Sequence, residues 1–142
     1  MRRKPGQNQL PFVQRLANQA EVQLLEGHHA DALETVERAL TVNPQERAFL
    51  PGTLRLRGDL RSTLGDTEGG ELDYREAHAV ARSMGAKAWE LRAASSLTRC
   101  LHERGESRLA RELLKPVLDS FSESPCSADF GEATDLMNRL GA

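Results

Sequence analysis

The sequence predicts an all-α solenoid: three helix–turn–helix repeats closed by a C-terminal capping helix, about seven helices in all. Three observations predict it. Gly27, Gly65 and Gly105 recur at intervals of 38 and 40 residues. Five, nine and twelve residues after each glycine stand small or apolar residues: Ala32/Val36/Ala39, Gly70/Tyr74/Ala77 and Ala110/Leu114/Val117. That spacing is one face of an α-helix. Seven residues before each glycine lies another small residue, Ala20, Gly58 or Thr98, so a helix also precedes each turn. Repeated helix pairs of this kind bury their apolar faces by stacking on one another.

Each element has its own local cause. Met1–Gln9, with Arg2, Arg3 and Lys4, reads as a flexible basic tail. Helix 1 is expected from about Pro11 to Glu26, with Leu16, Ala20 and Leu24 inward and Gly27 as a left-handed cap. Helix 2 spans about Ala30 to Val42, buries Ala32, Val36, Ala39 and Leu40, and stops at Asn43-Pro44. Helix 3 starts either near Gln45, with a kink at Pro51, or at Pro51 itself; Leu54, Leu56, Leu60 and Leu64 form its stripe. Asp66 is the expected N-cap of helix 4. Gly69 and Gly70 follow in its first turn; Gly70 fits a close helix approach, whereas Gly69 has no evident reason. Tyr74, Ala77, Val80 and Ala81 carry helix 4 to Gly85. Helix 5, about Ala86–Arg104, carries Trp89, Leu91, Ala94, Leu97 and Leu101; Trp89 is expected to pack between repeats against helix 4, with an interface anchor as the alternative. Helix 6, about Ser107–Phe121, contains Pro116, which removes a bond to Glu112 and predicts a kink. After a polar loop at Ser122–Ser127, Ser127 caps helix 7, which ends at Leu140 and buries Phe130, Ala133, Met137 and Leu140. The repeats thus fall at about 10–44, 45–85 and 86–122, with the capping helix at 127–140.

Composition narrows the function classes. A net charge of −2 argues against a dedicated nucleic-acid binder, whose footprint is a basic face. No apolar run reaches the roughly 18 residues that a membrane span requires. Met1–Gln9 lacks the apolar core of a secretory signal. Cys100 and Cys126 are expected as free thiols in a reducing cytoplasm. No phosphate-binding G-x-x-x-x-G-K-[ST] motif occurs, nor a paired metal-binding aspartate segment. His28 and His29 are adjacent and converge poorly on an ion; His78 is expected at the surface; Cys100 and His102 point to different faces. No catalytic residue, cofactor or metal site is therefore assigned, and the expectation is a binding protein.

The glycine-anchored frame resembles the tetratricopeptide repeat, in which a helix-A small residue, a turn glycine and a helix-B alanine, aromatic and alanine recur in this register. The usual period is about 34 residues, so helices here are longer by about one turn. A narrower likeness covers about residues 50–140: Leu54-Arg-Leu-Arg-Gly58, Tyr74-Arg-Glu-Ala77, Gly85 to Ala94, Arg104-Gly105, Ala110 to Pro116, Phe121 and the helix from Asp129 to Leu140. This stretch is similar to the C-terminal repeat region of large bacterial predicted ATPases, often fused to class III adenylate/guanylate cyclase or winged-helix regulator domains. Pro116 belongs to that pattern; Gly52, Gly69 and Gly70 depart from it. The resemblance implies a right-handed superhelix and a cytoplasmic, non-catalytic interaction module in bacterial signalling. Its catalytic partner domains would lie elsewhere.

The resemblance further implies a concave groove lined by the first helix of each repeat. It places Gln14, Ala17 and Glu21, then Arg55, Asp59 and Ser62, then Arg92, Ser95, Arg99 and His102 on that face. Three arginines favour an acidic peptide, because guanidinium binds carboxylate bidentately. A groove sensing a small acidic ligand or nucleotide is the alternative. The bland reading pairs Arg55 with Asp59 and Arg99 with Glu103 as i, i+4 ion pairs on a solvated face. Exposed end faces add an expectation of homo-oligomers.

Overall fold

In the computed structural model the described residues are 12–42, 47–120 and 128–140. They form seven helices and no strand: α1 Phe12–Leu25, α2 His29–Val42, α3 Leu50–Thr63, α4 Thr67–Ser83, α5 Lys87–Glu103, α6 Ser107–Asp119 and α7 Ala128–Leu140. Each helix packs on its neighbours in chain order, and α5 also meets α3 and α7. The result is an α-solenoid of three helical hairpins and a terminal helix. The basic tail, Pro11, Asn43-Pro44, Phe121, Cys126 and the Ser127 cap lie outside the described residues.

The glycines end helices as their spacing predicts. Gly27, Gly65, Gly85 and Gly105 have φ of 83°, 98°, 68° and 86°. These left-handed values suit glycine, which has no Cβ to clash. Each sits in the same pair of bonds: at α3, Asp66 N–H donates to Arg61 carbonyl at 2.7 Å and Gly65 N–H to Ser62 carbonyl at 3.1 Å. This is the Schellman arrangement, which satisfies carbonyls orphaned at a helix end. Asp66 then accepts from Gly69 N–H at 2.9 Å, the expected N-cap of α4.

Helix 3 begins at Leu50 with Pro51 in its first turn. Of its predicted stripe, Leu54, Leu56 and Leu60 are buried, whereas Leu64 is 48% exposed. Leu64 is the C-cap, where the chain has already left the helix. Helix 6 stays helical through Pro116 to Asp119.

The core runs along the stack as linked clusters. Ala20, Ala32, Val36, Leu56 and Leu60 join α1, α2 and α3. Leu54, Ala77 and Ala93 join α3, α4 and α5. Tyr74, Leu97, Leu101, Ala110 and Leu140 carry the core to α7. Leu91, Ala94, Leu114, Val117, Ala133 and Leu136 close the C-terminal end.

Helices α3 and α4 cross unusually closely. A Cβ on Gly58 would lie 2.6 Å from the Tyr74 ring, and one on Gly70 would lie 2.9 Å from the Gly58 carbonyl oxygen. Gly69 also has a reason after all: a Cβ there would lie 2.2 Å from the Asp66 carboxylate that caps the helix.

Candidate functional site

Parallel placement of α1, α3 and α5 leaves a groove of about 440 Å³ along one face of the stack. Its walls carry Gln14, Ala17 and Glu21 from α1, Arg55 and Asp59 from α3, and Arg92 from α5. These are six of the positions that the repeat register places there. Leu24, Leu25, Phe49, Leu56 and Trp89 add apolar surface.

Trp89 organises one end. Its ring lies over Gly52, where a Cβ would stand 2.6 Å from the indole. Gly52 therefore has a packing reason, and Trp89 makes a contact with α3. The Arg92 guanidinium stacks on the same ring at 4.8 Å from the ring centroid. Such a cation–π contact is worth about 0.5–2 kcal/mol, depending on desolvation.

The polar side chains are held by contacts between helices. Arg55 Nε donates to Ser96 Oγ at 2.9 Å. Tyr74 donates its phenolic hydrogen to Asp59 at 2.5 Å. The expected Arg55–Asp59 ion pair is thus replaced, because each residue finds a partner on a neighbouring helix. Burial first, and then the charge of Asp59, raises the Tyr74 pKa above its ordinary value. The phenol stays a donor and fixes the Asp59 carboxylate at the groove wall.

A second cavity of about 360 Å³ continues the same face, lined by Asp59, Ser62, Tyr74, Ser96, Arg99, Cys100 and Glu103, among others. Asp59 borders both spaces. Ser62 and Arg99 thus lie on the predicted face but in the second cavity. Arg99 pairs with Glu132 of α7 at 3.6 Å, not with Glu103. Cys100 is a free, half-buried thiol whose pKa is raised, mainly by burial and then by Glu71.

Two predicted groove residues are misplaced. Ser95 is only 5% exposed, and its hydroxyl has no hydrogen-bond partner. His102 is exposed at the end of α5, where Nδ1 lies 2.8 Å from Ser107 Oγ. Neither lines the two cavities. At 3.6 residues per turn, positions one and three turns beyond Arg92 fall between 95 and 96 and between 102 and 103. The fold uses Ser96 and Glu103.

On another side of the stack, the Asp73 side chain is only 2% exposed. It accepts from Arg57 Nε at 3.0 Å and Nη2 at 2.8 Å, and from Arg61 Nη1 at 3.2 Å. Both arginines also reach Glu37 of α2, at 3.4 and 3.2 Å. Desolvation works to lower the Arg57 pKa, but the Asp73 hydrogen bond and the nearby carboxylates outweigh it, and the pKa is raised. This four-residue cluster ties α2, α3 and α4 together. Sequence reasoning missed it, although Arg57 and Arg61 share a helix face at i, i+4 spacing.

His78 corrects a further expectation. It is not a surface residue: its side chain is 15% exposed, 3.7 Å from Glu90, and Nε2 is buried without a hydrogen bond. Burial is the largest effect and lowers its pKa, Arg82 adds to this, and Glu90 opposes it.

Among the described residues no group of three or more His, Cys, Asp or Glu could hold a metal ion. No helix among them is long and apolar enough to cross a membrane. Compared with known proteins, the chain matches no family model and no curated sequence.

Proposed function

We propose that this chain is a non-catalytic interaction module of tetratricopeptide type whose groove takes an extended peptide bearing carboxylates beside an apolar side chain. The observation that carries the reading is the gathering of Arg55 and Arg92 with Trp89 and Leu56 in the α1/α3/α5 groove. Ser96 engages only Nε of Arg55, which leaves the terminal guanidinium nitrogens to bind carboxylate as a fork. Trp89 adds aromatic surface to the groove wall, packed against Gly52 and touched by Arg92. Association with a cytoplasmic bacterial signalling ATPase or nucleotide cyclase follows from the sequence likeness and belongs to the same proposal.

Trp89 is the chain's single tryptophan and reports directly on the groove. Titration with a peptide containing alternating glutamate and leucine is expected to change its emission saturably, with affinity falling as salt rises. Arg55→Gln should weaken binding about tenfold, the low end for a lost charged contact. A lysine–leucine peptide of equal length should bind worse. Equal binding of the two peptides, or an unchanged affinity in R55Q, would refute the reading. A thermal-shift screen separates it from small-ligand sensing: a free dicarboxylate or nucleotide that raises the midpoint with log concentration, where the peptide does not, favours the sensor.

A further inference from the structure

The two ends of the stack carry complementary surfaces. At the first end, α1 packs on α2 and α3 and on no other described helix. Its outer side presents Val22 and Leu25, 53% and 87% exposed, three residues apart on one helix face. Glu21 and Glu26 flank them on the same turn, both exposed. At the other end, α7 packs on α5 and α6 and on no other described helix. Between α6 and α7 lies a groove of about 370 Å³ with Met137 and Leu140 in its lining. Arg108, Arg111 and Lys115 border it together with one carboxylate, Glu112, and the i, i+3, i+7 spacing of the three cations sets them in one stripe along α6. Arg108 and Lys115 are held only by exposed i, i+4 pairs to Glu112 and Asp119. Such pairs are worth little and exchange partners readily. Arg111 has no ion pair with any described residue.

An apolar ridge edged with acid at one end thus meets an apolar groove edged with base at the other. We propose that copies of this chain associate head to tail, the Val22/Leu25 ridge of one copy seated in the α6/α7 groove of the next. Charge complementarity selects this occupant. A second α1 ridge would bring carboxylate against carboxylate, and a second α6/α7 groove would bring guanidinium against guanidinium. The contact joins two different surfaces, so it need not close at two copies and instead extends the solenoid. Leu25 and Glu21 also border the α1/α3/α5 groove, whereas Val22, Glu26 and Arg111 do not, so substitutions at Glu26 and Arg111 read association apart from peptide binding.

The test is the weight-average mass of the full chain by sedimentation equilibrium, from micromolar to millimolar concentration and at low and high salt. Mass is expected to climb continuously with concentration and to fall with added salt. Glu26→Arg and Arg111→Glu, both at exposed positions, should each weaken association about tenfold or more. Combining E26R with R111E restores opposite charges across the contact and should recover association, which a folding defect could not do. A monomer at every concentration, a mass that stops at a dimer, single variants that associate like the parent, or a double variant that does not recover would each overturn the proposal.

Discussion

Replacing Asp73 with asparagine tests the ion cluster that joins the first two hairpins. The substitution keeps the volume but removes the charge that accepts from both Arg57 and Arg61. Breaking a buried ion pair by removing one partner generally costs about 3–5 kcal/mol. Two features move the value to the low end. Arg57 and Arg61 keep 17% and 26% side-chain exposure, and Glu37 still receives a bond from each. The expected loss is about 3 kcal/mol, a substantial part of the roughly 5–15 kcal/mol available to a domain. For a chain of this size that is a fall in melting temperature of roughly 10 °C. Urea unfolding followed by far-ultraviolet circular dichroism gives the free energy, with Lys115→Ala as the control. The Lys115–Asp119 pair is 65% exposed on both sides, so its loss should change stability by no more than about 0.5 kcal/mol. If D73N unfolds within error of K115A, the buried carboxylate does not hold α3 to α4 and the reasoning fails.

Two further expectations follow from the helix contacts. Gly58→Ala should destabilise by about 1–3 kcal/mol despite its better helix propensity, because the new methyl meets the Tyr74 ring at 2.6 Å. Gly131→Ala in α7 meets nothing within 4 Å and should instead stabilise by up to about 1 kcal/mol; thermal melts of the pair should move in opposite directions. His78 is held neutral by burial, so its folded pKa lies below the unfolded value of 6.5. The unfolded chain then takes up the proton more readily, and the contribution of His78 is full above that value and lost as pH falls through the folded pKa. Melting temperatures between pH 8 and pH 5 should fall less for His78→Gln than for the parent, and parallel curves would contradict this.

Sequence and structure agree where the causes are local. Gly27, Gly65 and Gly105 end helices through their own backbone conformation, and Asp66 caps through a bond three residues away. Such features are written in adjacent residues. Disagreement begins where the partner is distant in the chain. Arg55 meets Ser96, 41 residues on, and Arg57 meets Asp73, 16 residues on. Local rules offered Asp59 as the partner of Arg55 because it is one turn away. The alternation in Leu54-Arg-Leu-Arg held the missing signal: residues two apart on a helix face different ways, so Arg55 and Arg57 had to serve different neighbours. Ser95 and His102 failed for a smaller reason, the rounding of a 3.6-residue turn over three turns of α5.

The position of the ion cluster bears on the groove itself. In a solenoid, stability is close to a sum of hairpin terms and nearest-neighbour interface terms. Helices α3 and α4 pack intimately through Gly58 and Gly70, whereas α2 and α3 meet over a smaller contact. The Arg57, Arg61 and Glu37 contacts reinforce this thinner junction. The first hairpin supplies Gln14, Ala17 and Glu21, one whole wall of the groove. Opening of the α2/α3 junction would therefore dismantle the groove while leaving α3 to α7 folded. A ligand that needs both walls binds only the closed population, and its apparent affinity falls with that fraction. By the same linkage, a bound peptide should slow amide exchange in α1 and α2 more than in α5 and α6. Glu37→Gln, which removes the carboxylate that α2 offers to Arg57 and Arg61, should weaken peptide binding from some distance away, through the closed population rather than through any contact with the ligand. Protection that rises equally along all seven helices would show that the first hairpin does not open alone, and the coupling between Glu37 and the groove would be lost.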